Sequence, residues 1–402
     1  MNTPSTSTST PVDPNRPSKL SIVPSSRSTL QLRRPTKKET SHKDPPRTDE
    51  VDAEFDEDDE EVEHEQDIDT YGIAGRTWEA AYLMKRYCKP PYVPTSIPST
   101  SKLVFEPLCP LFVQPSTTED SSSPPPSQRT KQRKRTLVEI GSGTGYLSLH
   151  LLPFLKESDR LIVTDLPEVC PLLRTNLGIS VTEEGQEGKG NGKAKGSHVQ
   201  TTLGDVKVRP LPWGDQEAFE ELENEFDLLS SADDDSNTGP GPDLILASDL
   251  VYFPFLYPGL LRTLIWLTQP RKTPSRTDVD DTSRKGNDVP QVVIGYKIRS
   301  LPREEPFWKA FGIWFEFEPV YYRPIATSAQ DPNTTLPSPA ADEDHWHRFG
   351  ETSEGQDQLF IFVCTRRPKT YTWDVPKEDE ALMNGLGSDD QFETLLLLGM
   401  EC

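Results

Sequence analysis

The stretch TLVEIGSGTGYLSL, Thr136 to Leu149, sets three glycines at alternate positions directly after a short apolar run. A glycine turn between a strand and a helix lets backbone approach a ligand closely, because no side chain stands in the way. Gly141, Gly143 and Gly145 spell G-x-G-x-G, but Tyr146 stands where the dinucleotide fingerprint places its third glycine. No G-K-[ST] follows, so the phosphate-loop pattern is not met either. Asp165, at the end of LIVTD, lies 20 residues beyond Gly145. A carboxylate after the second strand of such a unit accepts hydrogen bonds from ribose hydroxyls. Loop and carboxylate together indicate an adenosine-type ligand at the carboxyl ends of the strands, and by themselves leave a nicotinamide dinucleotide and S-adenosylmethionine both open.

Working outward, apolar runs alternate with helical periods. Strands are read at TLVEI, LIVTD, VQTTLGD, DLILAS and QVVIGYKI, with helices between them at about 145–155, 167–177 and 254–268. Continuous apolar strands separated by helices imply a parallel sheet covered on both faces. Further on, FGIWFEFEPVYY and QLFIFVCTRR read as two adjacent antiparallel strands joined by a long polar insert. The expected fold is α/β: a Rossmann-like, doubly wound, mostly parallel seven-stranded sheet with a C-terminal antiparallel hairpin.

Residues 1–70 read as a disordered tail, opening Ser/Thr/Pro-rich and closing acidic. Fourteen acidic residues and no Lys or Arg fall between Asp49 and Asp69, which accounts for most of the net charge of −22. What remains is a mildly acidic surface, so nucleic acid is not an expected partner. A single catalytic domain is expected over 71–368, with polar inserts near 110–135, 181–197, 229–241, 269–289 and 325–357, and a C-terminal tail over 369–402. Loop closure grows slowly with length, so a core tolerates such inserts. Its first helix is expected in GRTWEAAYLMKRYC, stopped by KPPYVP. Five scattered cysteines without a C-x-x-C pair suit a reducing compartment and no disulfide framework. The pair His345 and His347 is too little to make a metal site. No apolar run reaches membrane-spanning length, and the expected compartment is the cytosol, with the nucleus open.

Glu139 separates the two ligands left open by the loop. A carboxylate two positions before the first glycine opposes a pyrophosphate and suits an ammonium and sulfonium cation. Here the chain resembles the class I methyltransferases, whose first motif is E-x-G-x-G-x-G. More narrowly it looks like the family 16 protein-lysine methyltransferases, which include enzymes that modify Hsp70-type chaperones and translation elongation factors. The similarity runs from Gly75 to Arg366 with interruptions. In GRTWEAAYL the resemblance implies that Trp78 reaches the cofactor; in EIGSGTG it sets Gly141, Ser142 and Gly143 against the methionine portion. It further implies Asp165 on the ribose, Trp213 of LPWGD beside the adenine, and Ser248 lining the cofactor. The D-x-x-Y of SDLVY, Asp249 and Tyr252, is expected to line a lysine channel and orient the amine. S-adenosylmethionine is the implied cofactor, a protein the implied substrate, and a monomer the implied state. Bland roles compete: Trp78 as a core anchor, Asp165 as the N-cap of the DLPEV helix, Asp249 as a cap for the helix near Pro254. Tyr296 and Lys297 end a strand either toward the ligand or toward solvent. Other functional readings are a non-catalytic binding module and a methyltransferase for nucleic acid or small molecules; SDLVY lacks the N-P-P-Y loop of the adenine amino-methyltransferases.

Overall fold

The structure, a computed structural model, describes residues 64–91, 103–113, 135–179, 204–228, 241–269, 290–324, 346–348 and 359–398. Residues 1–63 of the expected 1–70 tail and most of each expected insert lie outside these residues; the last part of that tail, 64–70, is placed, with Asp67 capping α1 and Glu65 N donating to Asn176 Oδ1 at 2.8 Å. In chain order the first part comprises α1 (Ile68–Tyr71), α2 (Glu79–Tyr87), β1 (Leu103–Glu106), β2 (Thr136–Ile140), α3 (Tyr146–Leu151) and β3 (Arg160–Asp165). Next come α4 (Cys170–Asn176), β4 (Asp205–Pro210), α5 (Gln216–Phe226), β5 (Leu244–Ser248), α6 (Tyr257–Leu267) and β6 (Gln291–Lys297). The chain continues with α7 (Leu301–Trp314), β7 (Phe315–Pro319), β8 (Tyr321–Pro324), β9 (His347–Arg348) and β10 (Leu359–Arg366), and ends in α8 (Asp379–Asn384) and α9 (Gln391–Leu398).

Seven strands form one sheet in the order β4-β3-β2-β5-β6-β10-β7. Pairing is parallel from β4 to β6, and β10 runs antiparallel to both β6 and β7. The order reverses between β2 and β5, the place where open α/β sheets of this kind gather their ligands. This is the doubly wound, mostly parallel sheet expected from the sequence. Side chains alternate across it: Leu137, Leu161, Leu246 and Val293 face Met84 of α2, Leu147 of α3 and Leu173 of α4. Val138, Ile162, Ile245 and Val292 face Phe219 of α5, Leu261 of α6 and Phe311 of α7. Both faces are therefore dry, which is why these strands read as unbroken apolar runs. A small sheet, β1-β8-β9, stands apart from the large one.

Four local expectations are corrected. The strand sought in VQTTLGD begins where that stretch ends: residues 199–203 lie outside the described residues, and β4 pairs Asp205 with Arg160. As an edge strand it buries only Val208, so its pattern is faint. FGIWFEFEPVYY is not one strand. Phe307, Trp308, Phe311 and Trp314 share a helical face, carrying α7 to Trp314, and alternation starts only at Phe315. Tyr321 and Tyr322 belong to the small sheet. No helix was read at 216–226, yet α5 buries Phe219, Leu222 and Phe226 on one face and is capped by Asp215, which accepts from Ala218 N at 3.0 Å. The 369–402 segment holds α8 and α9, and Phe392 of α9 stacks on Trp308 at 4.8 Å between ring centroids.

Candidate active site

The glycine bend leaves the end of β2 and enters α3 at the sheet reversal. Gly141 takes φ +59°, and a Cβ there would meet Trp213 Cζ2 at 2.7 Å and Leu250 Cδ2 at 2.8 Å. Gly143, at φ +55°, lies under the backbone of Ala74, whose oxygen would be 3.0 Å from a Cβ. Both the left-handed backbone and the close neighbours demand glycine here. Gly145 sits at the N-cap of α3. Ser142 N donates to Thr164 O at 3.0 Å, and Ser142 Oγ donates to Glu139 O at 3.2 Å, which pins the bend to β3 and β2.

Asp165, at the end of β3, meets this bend directly. Its Oδ2 accepts from Gly143 N at 2.7 Å and its Oδ1 from Leu166 N at 2.7 Å. Burial pushes its carboxyl up to about 6, against the pull of those two N–H groups. The cap of α4 is Val169, so Asp165 is no helix cap. Glu139 lies on the α3 side of β2, 2% exposed, and accepts from Ser148 Oγ. Burial raises it to about 8, while the Ser148 bond lowers it.

Trp213 lies over Gly141 and meets the Tyr252 ring at 6.4 Å between centroids, edge to face. Burial, and then the charges of Asp165 and Asp249, hold the Tyr252 phenol above its ordinary value, so these three share one locality. Asp249 follows β5 with φ +62° and caps no helix; Phe253 occupies the N-cap of the 3-10 turn at Pro254. Both oxygens of Asp249 are bound by Arg299, at 2.5 and 2.6 Å. The guanidinium of Arg299 also lies 5.3 Å from the Trp78 ring centroid, and Trp78 Nε1 donates to Ile73 O at 3.0 Å. Trp78 therefore stands at the mouth of the same edge and is only half-buried.

Arg299 escaped the sequence reading. Its only signal was a basic residue two positions past a strand, which says nothing about a partner. Tyr296 is corrected in the other direction: it is wholly buried on the α7 side and donates to Glu304 at 2.6 Å, facing neither ligand nor solvent. Lys297 pairs with Glu79 at 3.3 Å.

A segment N-terminal to α2 straps the bend. His64 Nε2 and Thr77 Oγ1 are 2.8 Å apart, Thr77 Oγ1 and Thr144 Oγ1 2.9 Å, and Asn176 Nδ2 donates to Thr144 O at 2.8 Å. Two features fit a small polar ligand at this edge: the glycine bend, and Ser248 Oγ, which is buried and finds no hydrogen-bond partner among the described residues.

A doubly wound sheet with a glycine bend and a carboxylate at its reversal defines a nucleoside-binding α/β enzyme fold. The model of the lysine methyltransferase family matches residues 56–277, more than half of the chain, and the chain belongs to that family. The cofactor that this family implies is S-adenosylmethionine, and the bend, Asp165 and the unpartnered Ser248 hydroxyl fit that group. The protein-lysine N-methyltransferase EFM6 of Saccharomyces cerevisiae is 30% identical over 143 residues, 35% of this chain and 46% of that protein, so the chain spans about half the length of this relative. Among solved structures, the CurJ carbon methyltransferase is 11% identical with a TM-score of 0.27, covering 60% of this chain and 50% of that one. The precorrin-6y C5,15-methyltransferase of Geobacter metallireducens is 11% identical with a TM-score of 0.25, covering 59% and 82%. At such scores the fold rests on the strand order above.

Proposed function

We propose that the protein transfers a methyl group from S-adenosylmethionine to the side-chain amine of a lysine in a protein substrate, with an elongation factor or an Hsp70-like chaperone as the leading substrate classes. The observation that carries this reading is the meeting of Asp165 with the bend at Gly143, on the same sheet edge as Tyr252 and Asp249. In this assignment Asp165 takes the ribose hydroxyls, Trp213 lies beside the adenine, and the backbone of Gly141, Ser142, Gly143 and Gly145 borders the methionine portion. Glu139 is assigned to the ammonium from behind the bend, where that cation would favour its ionised form, Ser248 spends its unpartnered hydroxyl on the cofactor, and Trp78 closes the mouth.

When bound, the cofactor supplies a methyl group on a sulfonium, an electrophile that needs no acid to activate it. The protein's task is then to deliver an amine with a free lone pair in line with that methyl. Lysine, with a pKa near 10.4, is only roughly 0.1% neutral near pH 7.4. Asp249 and Tyr252 orient the amine, and burial around Tyr252 favours its neutral form. The proton lost from the amine passes to water.

The test is incubation of the protein and tritiated S-adenosylmethionine with a methylation-deficient protein extract. A discrete labelled protein that yields methyl-lysine on acid hydrolysis is the expected result. Label in nucleic acid or small molecules would overturn the substrate class. Calorimetric binding of the cofactor without any transfer would mark a binding module instead. Among the described residues no helix is long and apolar enough to cross a membrane.

A further inference from the structure

Asp249 is an uncomfortable residue. It is not glycine yet takes φ +62°, and it is 4% exposed. A left-handed conformation is strained for a residue that carries a side chain, and a buried carboxylate is costly unless it is paired. Two grips hold it: its own N–H donates to Gly295 O at 2.7 Å, and Arg299 binds its carboxylate with two parallel N–H groups. Arg299 is itself over-determined. Its backbone N–H donates to Glu304 at 3.1 Å, its Nη2 donates to Glu79 Oε2 at 3.2 Å, and its guanidinium lies over Trp78. Glu304, 1% exposed, also accepts from Ser300 N at 2.9 Å and from Tyr296 at 2.6 Å. Burial opposes the charge on Arg299, but Asp249, Glu79 and Glu304 hold its proton more firmly than usual.

From this geometry we propose that Arg299 is a positioning residue that sets the protonation of the acceptor amine: it cancels the charge of Asp249 so that the site admits lysine as a neutral amine. The inference rests on the lysine reading above. An unpaired Asp249 would attract an ammonium and hold its proton, because a nearby negative charge raises the pKa of a cationic acid. The amine would then be bound well and react poorly. A guanidinium locked on both oxygens removes that field and leaves lone pairs on Asp249 to receive one N–H of the amine.

The other charged groups around this place are also engaged, by cations or by neutral donors. Glu79 on α2 is paired with Lys297 and Arg299. Glu304 on α7 is filled by two backbone N–H groups and the Tyr296 hydroxyl. Asp165 on β3 is held by two N–H groups, and Arg76 lies 4.7 Å from the Trp78 centroid. Tyr252 is kept in its neutral form by burial. Among these carboxylates Asp249 is the one whose countercharge comes from a single side chain, Arg299.

The experiment follows turnover against pH from 6.5 to 10, with the cofactor and the acceptor protein labelled in the extract experiment, purified, both at saturation. Turnover rises along a limb that reports the bound amine. Arg299→Gln, which keeps a hydrogen bond to Asp249 but loses the charge, is expected to move that limb up by about one unit, an approximately tenfold loss at pH 7.5 that recovers at pH 10. Asp249→Asn, which leaves the guanidinium opposed only by Glu79 at 3.2 Å, is expected to move the limb down, whatever its overall loss of rate. Arg299→Lys restores the position of the wild-type limb. Opposite shifts from the two partners cannot come from loosened packing, and if one variant does not fold the other still carries the sign. Uniform slowing at every pH with unmoved limbs overturns the inference while leaving lysine transfer intact. A wild-type protein that methylates no lysine at any pH ends the underlying reading, and this one with it.

Discussion

Glu139 carries a proton that water would take from it. Burial lifts its carboxyl to about 8, with the Ser148 bond pulling the other way. Between its unfolded value near 4.5 and about 8, the folded chain keeps a proton that the unfolded chain releases. Stability tied to this group is therefore full below 4.5 and is lost as pH rises through 8. Without cofactor, Glu139→Gln is expected to flatten the fall in melting temperature between pH 6 and 8.5; an unchanged slope would show that Glu139 is ionised in the folded chain. Asp165→Asn is expected to weaken S-adenosylmethionine binding about tenfold or more by calorimetry, the loss of a charge-assisted pair of hydrogen bonds. At this scale the sequence was most readable where chemistry constrains the backbone. Gly141 and Gly143 announce positive φ, and Asp165 announces itself by its spacing. Arg299 was hidden because its partner is decided by the adjacency of β5 and β6 and by the twist at Asp249, neither of which leaves a trace in local sequence. Tyr296 was misread because a strand's last residues still obey its period of two, and the period turns this one toward α7.

The elements that were hardest to read are those whose pattern is shared or faint. The aromatic run from Phe307 to Phe317 is helical in its first half and alternating in its second, with Phe311 and Phe315 stacked 4.4 Å apart across the junction. Either half alone is apolar enough to pass for the other. β4 offers one buried side chain because it is an edge, and α5 hides an apolar stripe among five Glu residues. The C-terminal segment gives a weak core pattern because, among the described residues of α8 and α9, only Leu382 and Phe392 are fully buried. Phe392→Ala is expected to cost about 3–5 kcal/mol in urea unfolding, since the ring is buried among Trp308, Tyr296 and Phe362. A loss below 1 kcal/mol would mean that α9 does not pack there. Asp215→Ala is expected to cost about 1 kcal/mol by removing the α5 cap.

Across the whole molecule, the sheet order gathers residues from distant parts of the chain onto one edge: Trp78, the bend at Gly141, Asp165, Trp213, Asp249 and Arg299. The strap over the bend belongs to this assembly from His64 onward. Removing residues 1–63 is therefore expected to leave cofactor affinity intact, whereas removing 1–77 takes away the Thr77–Thr144 contact and the cover over Gly143, and is expected to weaken binding about tenfold or more. Equal affinity for both truncations would remove the strap from the account. The most direct measurement is a crystal structure with S-adenosylhomocysteine, the product left after transfer. The account predicts ribose hydroxyls on Asp165, adenine beside Trp213, and a partner for Ser248 Oγ. Product bound elsewhere, with Asp165 touching only Gly143 and Leu166, would contradict it.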